Sequence, residues 1–245
     1  WNESHLNTGL VMRIWGISDT HLAEYKTNAM TCYGSIWAKH REKIIENWHA
    51  LVKKEDTVLI GGDTTWATNL EKALIDINML HRLPGMNKFI VKGNHDVWWK
   101  TLGDVSQAMP KSMIPLSGTA FEKEGHVICG TMGWVSPNDP FFDGLDMNFF
   151  KRELYSLEEA LKAAVKLDPE NGLHLLMHFP PFTSKGVETP FYKLITQYPV
   201  STCTFGHFHF QEEWDSVPQG NIDGVEFRLI ATDFLQHKPC LIWDD

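Results

Sequence analysis

The sequence is short of three things, and each shortage removes a class of function. Its 245 residues hold four cysteines, Cys32, Cys129, Cys203 and Cys240, none in a C-x-x-C pair. That excludes a thiolate zinc site and leaves no disulfide framework to read, so the thiols are expected free in a reducing, cytoplasmic compartment. Cys129 and Cys203 lie within apolar runs and are expected buried. Positive charge is also scarce: Lys and Arg total 22 against 31 Asp and Glu, a net charge of −9. Basic residues nowhere run past a pair such as Lys53-Lys54, so no nucleic-acid surface is evident. Long apolar runs are missing as well. None approaches the roughly 18 residues that a membrane span requires. Residues 1–11 carry no basic-then-apolar leader pattern and are read as an N-terminal extension. No repeat, low-complexity tract or Ser/Gly linker divides the remainder, so residues 12–245 are read as a single domain.

What is present is an ordinary globular composition, 43% hydrophobic and 22% charged. Short β-branched or apolar runs at 12–18, 57–60 and 88–91 read as strands. They alternate with helical spacing at 36–52 and 69–83. Further on, 119–122 and 126–129 flank a Lys-Glu-Gly turn and read as a hairpin. Residues 149–167 form a strong amphipathic helix, 172–177 a buried strand and 190–198 a short helix. Runs at 200–205, 225–231 and 239–243 complete the list. Strands alternating with helices early and crowding late predict a layered α/β fold with mixed sheets.

The informative residues are those that stop the strands. Asp19-Thr20-His21 follows the first, Gly61-Gly62-Asp63 the second and Gly93-Asn94-His95-Asp96 the third. His178 follows 172–177, and Gly206-His207-Phe208-His209 follows 200–205. Open α/β sheets bind ligands beyond the carboxyl ends of their strands. Carboxylates, an amide oxygen and imidazoles without thiolate suit Mn, Fe, Zn or Ni as divalent ions. Asp19, His21, Asp63, Asn94, His178, His207 and His209 are too many for one structural zinc, which needs four ligands. Seven donors with one carboxylate shared supply four to each of two ions, the arrangement of two-metal hydrolases. Glycine before Asp63, Asn94 and His207 is expected to let the backbone turn and approach an ion closely. Taken singly, Asp-x-His and Gly-Gly-Asp are commonplace turns and His178 a hydrogen-bonded histidine near the core, while Gly-Asn-His-Asp and Gly-His-x-His are clusters that a plain loop does not call for. His5, His40, His49, His81, His126, His174 and His237 are read as surface or packing residues.

In this order the motifs resemble the calcineurin-like metallophosphoesterase superfamily, over residues 19 to 209. Within it, GNHDVWW at 93–99 is similar to a bacterial group of predicted phosphohydrolases. The resemblance implies a four-layer α/β fold, a β-sandwich of two mixed sheets flanked by helices, with metals at one edge. It implies that Asp19, His21, Asp63 and His209 hold one ion, that Asp63, Asn94, His178 and His207 hold the other, and that Asp63 bridges. It implies hydrolysis of a phosphomonoester or phosphodiester by a hydroxide shared between the ions. His95 would act on the leaving oxygen or on transition-state charge. Many relatives carry G-D-x-x-D, whose second aspartate orients the catalytic histidine. Here that place is Trp66, so Asp96 or a backbone carbonyl is expected to hold His95.

Two alternatives stand beside this reading. One is a non-catalytic metal-binding scaffold of the same fold, though such scaffolds shed ligands and all seven are present. The other is a dinuclear hydrolase of another bond. The expected partner is a small phosphorylated substrate. Trp66, Trp98, Trp99, Phe179, Phe182, Phe208 and Phe210 crowd the motif loops, and packing is expected for Phe208 and Phe210. Residues 139–150 are read as a lid or dimer contact. Arg152 is read as an ion-paired surface residue, with a phosphate clamp as the sharper option.

Overall fold

The computed structural model describes residues 13–24, 30 and 34–244. The extension read at 1–11 and Cys32 lie outside them. In the first half, β1 (Arg13–Ile17), β2 (Thr57–Ile60), β3 (Asn87–Val91) and β4 (Met113–Leu116) alternate with α1 (His40–Leu51), α2 (Leu70–Arg82) and α3 (Leu102–Ala108). A helix between strands returns the chain to the same end of the sheet, so β1 to β4 pair in parallel. The last strand, β11 (Cys240–Asp244), joins antiparallel at the edge, giving the order β11-β1-β2-β3-β4.

The second sheet has the order β5-β6-β7-β8-β10-β9. Its strands are β5 (Thr119–Lys123), β6 (His126–Thr131), β7 (Gly172–Met177), β8 (Thr202–Phe205), β9 (Gly220–Ile222) and β10 (Val225–Leu229). β6, β7, β8 and β10 are parallel, and the β5–β6 hairpin and β9 close the edges antiparallel. Helix α4 (Met147–Lys166) crosses between β6 and β7. The short α5 (Pro190–Ile195) and α6 (Gln211–Ser216) follow β7 and β8.

Strand side chains alternate between two buried faces, which explains why the strands read as continuous apolar runs. Leu59, Phe89, Val91, Ile128 and Leu176 point inward and join the two sheets. Val58, Ile60 and Ile90 point the other way, under Trp48, Ile77 and Leu80 of α1 and α2. Val127, Cys129, Leu175 and Cys203 meet Leu157, Leu161 and Ala164 of α4. The result is the helix–sheet–sheet–helix sandwich of two mixed sheets. Cys129 and Cys203 are buried and unpaired.

The structure adds α3, β4, α6 and β9, each only three to seven residues long, too short for periodicity to register. It also splits the helix expected from residue 36. Ser35–Trp37 form one 3-10 turn, and Lys39, at φ 55°, breaks the chain before α1. That break turns Trp37 inward, where it is 3% exposed, toward the loop carrying His21.

Candidate metal centre

Because β1, β2 and β3 are parallel neighbours, and β7 and β8 likewise, all five carboxyl ends open at one edge of the sandwich. Backbone hydrogen bonds lock the loops there. Asp19 N–H donates to Gly62 O (2.9 Å), His21 N–H to Asp63 O (2.9 Å) and Gly206 N–H to His178 O (3.0 Å). Asp19 (φ 57°), His21 (42°), Asp63 (47°) and His207 (73°) all sit in the left-handed region. Such backbone is costly for residues with a Cβ and concentrates at functional sites. The flanking glycines also make room for carboxylates. A Cβ on Gly93 would overlap the Asp63 carboxylate and backbone nitrogen, and one on Gly206 would overlap the Asp19 carboxylate. Their close approach is to the Asp63 and Asp19 carboxylates. Gly62, at φ 88°, is the one that makes the turn.

Asp63 is the hinge of the arrangement. Its Oδ1 lies 3.7 Å from His178 Nε2 and its Oδ2 lies 3.8 Å from His21 Nε2. Asp19 Oδ1 is buried and accepts no well-formed hydrogen bond. Its neighbours are ring nitrogens, His209 Nε2 at 3.4 Å and His178 Nδ1 at 4.0 Å. Donor atoms of Asp19, His21 and His209 gather within 4.8 Å of one another, and so do those of Asp19, Asp63 and His178. Asn94 Oδ1 is 2.8 Å from His178 Nε2. His207 donates its backbone N–H to Asp19 Oδ2 (3.0 Å). Its ring stands edge-on to His178 at 5.1 Å between centroids and packs on Phe179 at 4.1 Å, outside both compact groups.

The electrostatics match a cation site. Burial pushes the imidazoles of His21, His178 and His207 below their ordinary range, so they are neutral and offer lone pairs. Burial, with Asp19 and Asp96 nearby, pushes the Asp63 carboxyl well above its ordinary range. Burial opposes charge on His209 too, but its contacts with Asp19 and Asp233 outweigh it and raise the imidazolium to about 11. His178 Nδ1 donates to Gly61 O (2.9 Å), which leaves a lone pair on Nε2 aimed at the Asn94 amide oxygen. Two acceptors facing each other, beside an unsatisfied buried carboxylate oxygen, are what ligands of a shared cation present. The residues therefore fit divalent metal, and hard-to-borderline metal by their donor set.

His95 stands at the rim, its side chain 45% exposed and its Nε2 3.9 Å from Asp63 Oδ2. Its backbone N–H donates to Asp63 Oδ1 (2.8 Å), so backbone direction separates it from Asn94. Asp96 does not orient it. The Asp96 carboxylate is fully buried beneath the loops. It accepts from Thr64 N–H (2.9 Å), Thr65 N–H (3.3 Å), Trp98 Nε1–H (2.9 Å) and Gly93 N–H (2.9 Å). It cross-links the β2 and β3 loops and so positions Asp63 and Asn94. The His95 ring packs on Trp66, 4.6 Å away and tilted by 54°, and edge-on to His21 at 5.7 Å; Trp66 also stacks on His21 at 5.0 Å.

Sequence reading missed Asp233. It is 3% exposed and accepts from His209 Nδ1 (2.9 Å), holding the ring with Nε2 toward Asp19. A carboxylate behind a metal-ligating histidine fixes its tautomer and strengthens it as a donor. Asp233 sits in a Thr-Asp-Phe stretch after β10 with no motif around it, so only the fold reveals it. Arg152 is no clamp: it pairs with Glu153 (3.1 Å) and lies over Phe149. Trp98, Trp99, Phe182 and Phe208 are core. Phe210, expected to pack, is 69% exposed instead. In the 139–150 segment, Asp139 accepts from Ser184 N–H (2.6 Å) and Asp146 from Trp134 Nε1–H (2.9 Å), which pins the loop to the body.

A model of the calcineurin-like phosphoesterase family matches residues 12–211, and the chain belongs to that family. Among solved structures it is similar to the protein of unknown function AQ665 from Aquifex aeolicus. The two share 19% identity over 94% of this chain and 95% of that one, with a TM-score of 0.50, a likeness of fold alone. No curated protein matches it.

Proposed function

We propose that this protein is a dinuclear metallophosphoesterase hydrolysing a small phosphomonoester or phosphodiester. The observation that carries the reading is the Asp63 carboxylate, whose two oxygens face histidines of different groups, as a bridging ligand requires. Asp19, His21, Asp63 and His209 would hold one ion, and Asp63, Asn94, His178 and His207 the other. Two divalent ions, Mn, Fe, Zn or Ni, would supply Lewis acidity toward the phosphoryl oxygens and hydroxide at neutral pH.

The chain's own residues supply the rest. Asp233 and the Gly61 carbonyl fix His209 and His178 in the tautomers that expose Nε2. Asp96 holds the β2 and β3 loops at a fixed separation. His95, half-exposed, reaches the mouth of the site, where its imidazolium form would protonate the departing alkoxide. Burial lowers this imidazole, so that form gains toward acid pH. No covalent enzyme intermediate is required. The free buried thiols Cys129 and Cys203 support a reducing, cytoplasmic setting.

The test is reconstitution with manganese, elemental analysis and assay on nitrophenyl phosphate and bis-nitrophenyl phosphate. Two ions per chain with turnover supports the reading. One ion or fewer removes the dinuclear site, and two ions without hydrolysis of either ester favours the scaffold.

A further inference from the structure

The edge of the sandwich opens into two clefts that meet at His207 and Glu213. One, of 460 Å³, is lined by His21, Asp63, His95 and His209 on the metal side, by Glu213 and Asp233, and by an apolar wall that includes Trp66, Met30, Trp37, Phe210 and Trp214. The other, of 290 Å³, runs past Phe179 toward Trp134, Ser136 and Asp139, and His95 does not line it. A group that leaves with a proton from His95 must therefore depart into the first cleft.

That cleft has a definite chemistry. Its indole wall is fixed in place: Trp66 stacks on His21 and donates Nε1–H to Met30 Sδ (3.1 Å), while Trp214 donates to Phe208 O (2.8 Å) and packs on Phe234. Phe210, 69% exposed, leaves a whole phenyl ring in water at the rim, an exposure that a bound apolar group would relieve. The charged groups lining the cleft beyond the metal side are the carboxylates of Glu213 and Asp233, with His209 paired to Asp233. Glu213 accepts from the backbone of His209 and Phe210, and Asp233 accepts from His209. No Lys or Arg lines it among the described residues. A second phosphate or a carboxylate on the substrate would meet carboxylates there. A flat uncharged ring would meet π faces and a thioether.

We propose that the cleft beside His95 binds the alcohol portion of the substrate, and that this portion is an uncharged aromatic group held between Trp66, Phe210 and Trp214. The proposal rests on the phosphoesterase reading and narrows its substrate class. The full chain, loaded with manganese, is assayed on ethyl, benzyl and para-carboxybenzyl esters, each as the phosphate monoester and as the methyl diester. Their parent alcohols have comparable acidity, so leaving-group chemistry is matched and recognition decides the rate.

Benzyl should exceed ethyl in kcat/KM by about tenfold or more, and para-carboxybenzyl should fall about tenfold below benzyl. Phe210→Ala should shrink the benzyl-to-ethyl ratio about fivefold, mainly through KM. A benzyl-to-ethyl ratio near one, a ratio untouched by Phe210→Ala, or equal rates for benzyl and para-carboxybenzyl would each overturn the proposal. If no ester is cleaved with two ions bound, the phosphoesterase reading falls. Binding of 2-naphthylmethanol, followed by tryptophan fluorescence, then decides the cleft alone. Binding weakened about fivefold or more by Phe210→Ala keeps the aromatic assignment, and absent or unchanged binding removes it.

Discussion

Replacing Gly93 by alanine tests the placement of the Asp63 carboxylate, the proposed bridge, with a single methyl group. The new Cβ would overlap both Asp63 Oδ1 and the Asp63 backbone nitrogen. One of those atoms is main chain, so rotating the Asp63 side chain cannot clear both. Restoring ordinary van der Waals distance needs the β3 loop to retreat from Asp63 by roughly 1 Å, a misplacement that costs on the order of 10²-fold in rate. The retreat also stretches the His95 N–H to Asp63 Oδ1 bond, now 2.8 Å, and the Thr64 N–H to Asp96 Oδ1 bond, now 2.9 Å. Overpacking of this kind should lower stability by about 1–3 kcal/mol. The measurements are metal content, kcat on a nitrophenyl ester and thermal unfolding of the metal-free chain. Gly144→Ala serves as control, because a Cβ there meets nothing within 4 Å. We expect Gly93→Ala to bind fewer than two ions and lose about 10²-fold or more in kcat, with the control near wild type. Two ions retained and activity within about threefold would refute the claim that this contact sets the bridge.

Three further outcomes follow from the same geometry. His95→Asn should keep both ions and lose about 10²–10⁴-fold in kcat. The loss should be larger on an alkyl than on a nitrophenyl ester, and equal losses would make His95 an electrostatic group rather than a proton donor. Asp63→Asn should impair both ions while His21→Ala weakens mainly one, read by metal titration; identical stoichiometries in the two variants would remove Asp63 as bridge. In the metal-free chain His209 is raised to about 11, so it holds a proton that metal must displace near neutral pH. Uptake should therefore release about one or more protons at pH 7, and apparent affinity should rise with pH and fade as pH drops. Calorimetry in buffers of differing ionisation heat measures this, and zero release would contradict it.

Much of the fold was legible because parallel strands buried on both faces write themselves as short apolar runs. The runs at 57–60 and 172–177 coincide with β2 and β7. The helix read at 69–83 is α2, with Asn69 accepting from Lys72 N–H as its cap. The candidate donors were legible for a related reason. Polar residues that stop apolar strands have no packing role, so Asp19, His21, Asp63, Asn94, His178, His207 and His209 stand out against their neighbours. The short elements α3, β4, α6 and β9 left too few residues for a period to show.

By itself, then, the sequence determined the alternation that makes the sheets parallel and the donor chemistry at their carboxyl ends, because both are local: a run, a stop and a residue type. Only the tertiary structure decided which donors meet. The two Asp63 oxygens face different histidines because β1, β2 and β7 converge from separate sheets. Asp96 lies under the loops rather than beside His95, since its carboxylate meets four donors there and its burial admits no other partner. Asp233 stands behind His209 from 24 residues away. Phe210 is left in water because α6 begins at the cleft rim, a fact of where helices end in space that no local pattern carries.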